Sequence, residues 1–287
     1  MNWLPKAENL VSLSKELNLG LDSFIFVDDS DHECAAIRHA LPQVQVVQVP
    51  ARSVDIPSCL DRVARLEVLS LTVEDLAKTD MYAQERRRRE FNDDVGRTGG
   101  GTGDYLARLQ MKMRIGIDLL AHVARLSQLT KKTNQFNLTT RRYDEQQMRK
   151  FIEDDRTLVA DFSLADVFGD SGVVGLAVWR IVAPHCAELD TFLMSCRVIG
   201  REAEAAFLHA TLRMLASRGV SEVLADYLPT PKNDLVRDLL TRQGFELGAD
   251  GRYRRHLGTQ PARAAEQFPI EIAIAASDNR LTETPVT

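Results

Sequence analysis

An α/β segment followed by an α+β domain is the fold class predicted for this chain of 287 residues, and three features predict it. Residues 7–50 alternate helix-like and strand-like runs. Residues 92–103, NDDVGRTGGGTG, are too rich in Gly, Thr and Asp for a packed element and mark a boundary. Beyond them, several strand-like runs precede one long amphipathic helix and a final strand, an order that suits an antiparallel sheet with helices set against it.

In order, residues 7–18 (AENLVSLSKELN) carry apolar positions at helical spacing, and the predicted elements that follow are strand 23–28, helix 31–40 and strand 44–50. Residues 58–69 and 72–90 read as helices. The run QERRRRE at the end of the second reads as a solvated face rather than a nucleic-acid contact, because the chain is acidic overall, with net charge -5, and no aromatics interleave the arginines. After the boundary, residues 104–113 and 116–128 read as helices and 130–143 as a polar segment. Helix 144–153 then precedes strands at 156–163, 173–182 and 189–198, helix 202–218, strand 221–227 and helix 233–243. The tail from 259 is polar except for the apolar island FPIEIAIAA.

The acidic balance gives no general attraction to nucleic acid or to an anionic membrane. Four cysteines, at 34, 59, 186 and 196, form no close pair and have no zinc-ligand spacing with histidine, which suits reduced thiols in a cytoplasm. No run is long and apolar enough for a membrane span, and MNWLPKAENL lacks the form of a signal peptide.

Two stretches carry candidate chemistry. FIFVDDSDHE ends a strand in Asp28 and Asp29, a pair of carboxylates that asks for a hard cation such as Mg²⁺; the alternative is a solvated loop with Ser30 or Asp31 capping a helix and Glu33 in its first turn. CRVIGREAEAAFL runs from a strand end at Arg197 through Gly200 into a helix, so that unpaired backbone N–H groups can cradle a pyrophosphate. Cys196 beside this turn reads either as a nucleophile, with Arg197 favouring its thiolate, or as a small buried hydrophobe.

CRVIGREAE resembles the Q/R-x-x-G-x-G/A signature of GCN5-related N-acetyltransferases (GNAT), with Arg197 first, Gly200 second and Glu202 at the third, small position. NDLVRDLLTRQGF is similar to a second segment of that family in Asn233, Gly244 and Phe245, while Leu240 stands where many members carry a tyrosine general acid. WLPKAENL, FVDDSDHE, LTKKTNQFNLTTRRY, FGDSGVVG, LMSCRVIGREAE and YLPTPKN occur in the order of FkbH-like proteins, which the chain resembles over about residues 1–257. That family joins a HAD-superfamily (subfamily IIIC) phosphatase-like domain to a GNAT-like acyltransferase domain.

The resemblance implies a partial HAD-like Rossmann domain over 1–80, a charged helix end and Gly-rich linker over 81–103, a GNAT-like domain over 104–258 and a tail over 259–287. It implies an acyltransferase loading glyceryl-type units onto the phosphopantetheine thiol of an acyl carrier protein or CoA in natural-product biosynthesis, or alternatively a non-catalytic docking module. Asp28 and Asp29 match the family's Mg²⁺ motif and Lys6 its phosphate-side cation. The D-x-D nucleophile strand has no counterpart here, so phosphatase turnover is not expected, and the strand at 23–28 is expected either to self-associate or to take a separate chain supplying the missing half. Arg197, Val198, Ile199, Gly200 and Arg201 match the phosphate turn, Lys232 and Asn233 a phosphopantetheine contact, and Asn134, Gln135, Asn137, Thr139 and Arg141 an active-site lining. For those amides and hydroxyls the alternative is a polar loop that caps neighbouring elements.

Overall fold

A computed structural model of the chain describes residues 4–17, 19–67, 78–258 and 268–276, in two compact units that divide between Leu71 and Thr72. In the first unit, helix α1 (Lys6–Leu17) and strand β1 (Ile25–Asp28) are followed by α2 (Asp31–Ala40), β2 (Gln45–Gln48) and the short α3 (Ile56–Asp61). Ser30 caps α2 by accepting the Glu33 N–H at 3.4 Å, one of the two caps the sequence offered. Strands β1 and β2 pair in parallel, Ile25 opposite Gln45 through Asp28 opposite Gln48. Their core is small: Ile37, Leu41 and Val44 are buried, with Leu10, Val11, Phe24 and Phe26 packed partly against them. Neither strand has a fully buried residue, which departs from the buried strand that FIFV suggests.

The second unit opens with α4 (Lys78–Arg97) and α5 (Thr102–Arg108). Two sequence expectations change here. The helix α4 continues through Arg97 with Val95 buried and α5 begins at Thr102, so most of the Gly-rich stretch is helical and the unit division lies upstream of the expected linker at 81–103. The arginine run is also not wholly solvated, since Arg88 is buried.

Residues 111–117, read as parts of two helices, form strand β3 (Met111–Ile117). Its Met and Lys residues favour helix locally, but Met111, Met113, Ile115 and Ile117 are buried at every second position, and it is flanked by strands on both sides. Helices α6 (Val123–Lys132) and α7 (Glu145–Glu153) follow, then antiparallel β4 (Thr157–Asp166), β5 (Gly169–Ala183) and β6 (Cys186–Met194). Helix α8 (Ala203–Ser217) crosses to β7 (Glu222–Ala225), parallel to β6. The short α9 (Leu239–Arg242), β8 (Glu246–Leu247) and β9 (Tyr253–His256) complete that side. The apolar island is β10 (Ile270–Ala276), parallel to β3, so the sheet order is β10-β3-β4-β5-β6-β7-β9-β8.

Alternation along β4 divides the sheet's two faces. Leu158, Ala160, Phe162 and Leu164 pack with Ala206, Phe207 and Leu212 of α8, while Val159 packs with α6 and α7 through Leu126, Met148 and Ile152. Gly175 is required where it stands, because a Cβ there would lie 1.9 Å from the Phe162 ring. The described part of the unit is thus a mixed α/β layer, and no described helix is long and apolar enough to cross a membrane.

Candidate functional site

Strands β6 and β7 pair only from Cys186 opposite Glu222 to Leu189 opposite Ala225. Past Leu189 they part, and the second half of β6 runs into the turn that carries the candidate phosphate residues. Cys196–Val198 form one 3-10 turn, Gly200 takes φ +82° and Glu202 takes φ +57°, both left-handed, before α8 begins. The glycine suits this backbone without steric cost; Glu202 occupies it without that freedom.

The gap between the parted strands is occupied by the chain itself. Leu138 N–H donates to Phe192 O at 3.1 Å, Met194 N–H to Phe136 O at 3.0 Å, and Asn137 bridges antiparallel to Leu193. On the far side Leu228 N–H donates to Leu138 O at 2.9 Å. Residues 136–138 therefore act as a short inserted strand that satisfies the β6 edge.

The polar residues of this segment hold it in place. Asn137 Nδ2 donates to Thr133 O, and its Oδ1 accepts the N–H groups of Thr139 and Thr140. Thr139 Oγ1 donates to Asp190 O at 3.0 Å, and Arg141 pairs with the Asp190 carboxylate. Asn134 Oδ1 accepts from Arg142 at 2.7 Å. Asn233, fully buried, accepts Thr230 N–H at 2.7 Å and donates to Asn137 O and Leu228 O, both at 2.9 Å. Asn137, Thr139, Arg141 and Asn233 thus come together in one hydrogen-bonded loop.

The turn's cations are similarly engaged. Arg201 is 4% exposed and donates to Glu85 at 2.8 Å, to Asp166 at 3.2 Å and to Arg197 O at 2.8 Å, while Arg88 grips Asp166 in a fork at 2.6 and 2.9 Å. Arg197 is partly buried, donates to Ser195 Oγ at 3.3 Å and touches Met81. The Arg201 head, read as a phosphate contact, is committed to carboxylates of α4 and β4. Val198 is a core residue, Ile199 packs partly against the core, and Lys232 is exposed on the loop after β7.

Cys196 lies within 3.1 Å of Gln135 Oε1, and burial pushes its thiol above the ordinary range, outweighing the opposing pull of Arg197. The expected thiolate is therefore disfavoured: desolvation penalises the charge more than one partly buried arginine recovers. Leu240 is 1% exposed, so the helix position that could carry a general acid is filled by a core residue. His209 is buried against Gln243 at 3.0 Å, and His185 bonds Gly219 O at 2.7 Å beside a cavity of about 330 Å³ lined by Asp155, Thr157, Ile181 and Arg218 at the other end of β6.

In the first unit, Lys6 Nζ donates to Asp28 Oδ2 at 2.6 Å and Ser30 N–H to Asp28 Oδ1 at 3.0 Å, so the lysine holds that carboxyl below its usual range. Asp29 is exposed. Among the described residues no three metal-ligating His, Cys, Asp or Glu side chains gather, and each Asp28 oxygen accepts a hydrogen bond.

Sequence reading missed Asp190, Asp166 and Glu85, each an acid in a strand or helix pattern. Asp190 accepts from Tyr143 at 2.6 Å as well as from Thr139 and Arg141, and burial with this carboxylate pushes the Tyr143 phenol up to about 12. The local signal was an acid inside an apolar strand, LDTFLM, where a charge must find partners.

No protein-family model and no curated protein matches the chain. Solved structures similar to it include the ribosomal-protein-S18-alanine N-acetyltransferase of Escherichia coli, at 16% identity, covering 50% of this chain and 90% of that one with a TM-score of 0.37. A GNAT-family acetyltransferase of Streptococcus pneumoniae gives 12%, 51%, 100% and 0.41 for the same measures, and a Mycobacterium tuberculosis protein in complex with CoA gives 15%, 45%, 69% and 0.36. At these identities and scores no function passes from them to this chain.

Proposed function

We propose that residues 104–258 act as an acyltransferase-type domain toward a thiol borne on phosphopantetheine, on an acyl carrier protein or CoA, and that the unit transferred is of the glyceryl type. The observation that carries this reading is the parting of β6 from β7 beyond Leu189, which leads into a left-handed Gly200 turn and the start of a 15-residue helix. Such a turn presents backbone N–H groups to a phosphate. Phosphatase chemistry has no part in this reading. The test is calorimetry with CoA and with holo carrier protein: Glu202→Gly, which removes an exposed carboxylate from the turn, should tighten binding by about 1 kcal/mol. Unchanged or weaker affinity would remove the turn as the phosphate contact.

A second reading, a non-catalytic docking module, is favoured by the filled gap, the committed Arg201 and the buried Leu240. A docking module binds apo and holo carrier protein alike, whereas the transferase reading requires the holo form to bind more tightly.

A further inference from the structure

The strand β10 is part of the second unit's core rather than an ornament on it. Phe268 and Ile270 are buried, the Phe268 ring lies 5.6 Å from that of His209 on α8, and seven residue pairs join β10 to β3, from Ile270 opposite Met111 to Ala276 opposite Ile117. Lys112 and Glu271, paired in that register, approach to 3.8 Å.

The chain arrives at β10 from the wrong side of the sheet. It leaves β9 with Leu257 N–H still bonded to Ser221 O at 2.7 Å, and β9 is separated from β10 by β7, β6, β5, β4 and β3. Those six inter-strand spacings amount to roughly 29 Å. From Gly258 to Phe268 there are ten residue steps, which reach about 33–36 Å at full extension. The pairing senses make β9 and β10 point the same way, so a link within one chain must also return from the carboxyl end of one strand to the amino end of the other. Like-directed strands that are immediate neighbours already need a crossover of about a dozen residues.

Every contact that β10 makes with β3 and α8 is equally available when the strand comes from a second copy. The link alone then distinguishes the two arrangements, and ten residue steps, whose greatest reach barely exceeds the span, favour exchange. We infer that β10 is exchanged between two copies of this chain, each lending Phe268–Ala276 to the β3 edge of the other in a closed two-fold dimer. This assigns the apolar island an occupant and a partner, and it is independent of the acyl-transfer reading.

The experiment uses the full chain carrying Arg114→Cys and Ala273→Cys, register partners that are both exposed. Isotope-labelled and unlabelled chains are unfolded together, refolded and oxidised, and the disulfide-linked peptide pair spanning the two substitutions is weighed. Exchange gives labelled-to-unlabelled pairs as half of the product and a particle of twice 32.2 kDa by light scattering. Insertion of a dozen Gly/Ser residues after Gly258 should then halve the particle mass, and this keeps the test decisive if the cysteine pair disturbs folding. A wild-type chain that is monomeric throughout the micromolar range overturns the inference, as does a dimer whose linked pairs join only like with like.

Discussion

Lys6 and Asp28 meet at 2.6 Å in the N-terminal unit, and Arg88 and Asp166 meet at the same distance in the C-terminal one. The first pair is 43% and 13% exposed, the second 3% and 1%. Water screens the first and competes for its groups, whereas the second is enclosed with Arg201, Glu85 and the Phe168 N–H, which donates to Asp166 Oδ1 at 2.9 Å. Equal geometry therefore carries unequal weight, and burial decides which pair the fold depends on. The same contrast separates the candidate residues of the two units: those near Lys6 are accessible but not assembled, and those near Asp190 are assembled but already bonded.

The largest effect that tests this contrast is Asp166→Ala. It leaves two buried guanidinium groups without their shared carboxylate and should cost about 3–5 kcal/mol in the urea-induced transition of the C-terminal unit. A loss below about 1 kcal/mol would mean that water reaches the cluster and that the burial contrast is wrong. Next, Asn233→Ala strands the Thr230 N–H and the carbonyls of Asn137 and Leu228 and should cost about 2 kcal/mol. Amide exchange at Leu138 and Leu228 should quicken with it; unchanged exchange would show that the inserted strand holds without this residue.

A third test is pH dependence. Burial holds the Asp161 carboxyl above its ordinary range, against the opposing effect of His122, whose Nδ1 lies 3.0 Å from both carboxylate oxygens. A carboxyl raised on folding contributes stability that is complete below its unfolded pKa and is lost as pH rises through the folded one. Asp161→Asn does not titrate, so it should gain on the wild type from about pH 4 upward. Parallel stability curves for the two chains would show that the imidazole fully compensates burial. The smallest expected effect is Lys6→Ala, which should leave the melting of the N-terminal unit unchanged within error; a clear loss would make the surface pair structural after all.

Much of the element order was legible because it rests on local signals. Ser30 before Asp31–Ala40, the capping box formed by Asp144 and Gln147 at α7, and the apolar face of α8 are set by neighbours three or four residues away. The strand β3 was misread because its partners, β4 and β10, are roughly 45 and 160 residues further along the chain, and only their ladders override the helix preference of MKMRIGI. The candidate site was legible as a set of residue types and not as a set of available groups. Asn137, Thr139, Arg141, Asn233 and Arg201 were all singled out, and the structure shows each bonded to a partner within its own unit.

The sequence by itself determined the turn at Gly200 and the helix after it, since that glycine and the apolar α8 pattern permit little else, whereas the strand expected to end at Arg197 stops at Met194 and Cys196–Val198 form a 3-10 turn. It also determined that Leu240 offers no acid. Tertiary structure alone decided that Phe136–Leu138 fills the space beside β6, that Glu85 and Asp166 take the Arg201 guanidinium, and that burial pushes the Cys196 thiol up. The physical reason is that hydrogen-bond saturation and desolvation depend on what lies within a few ångströms in space, and those neighbours come from segments separated by some 35 to 116 residues of chain.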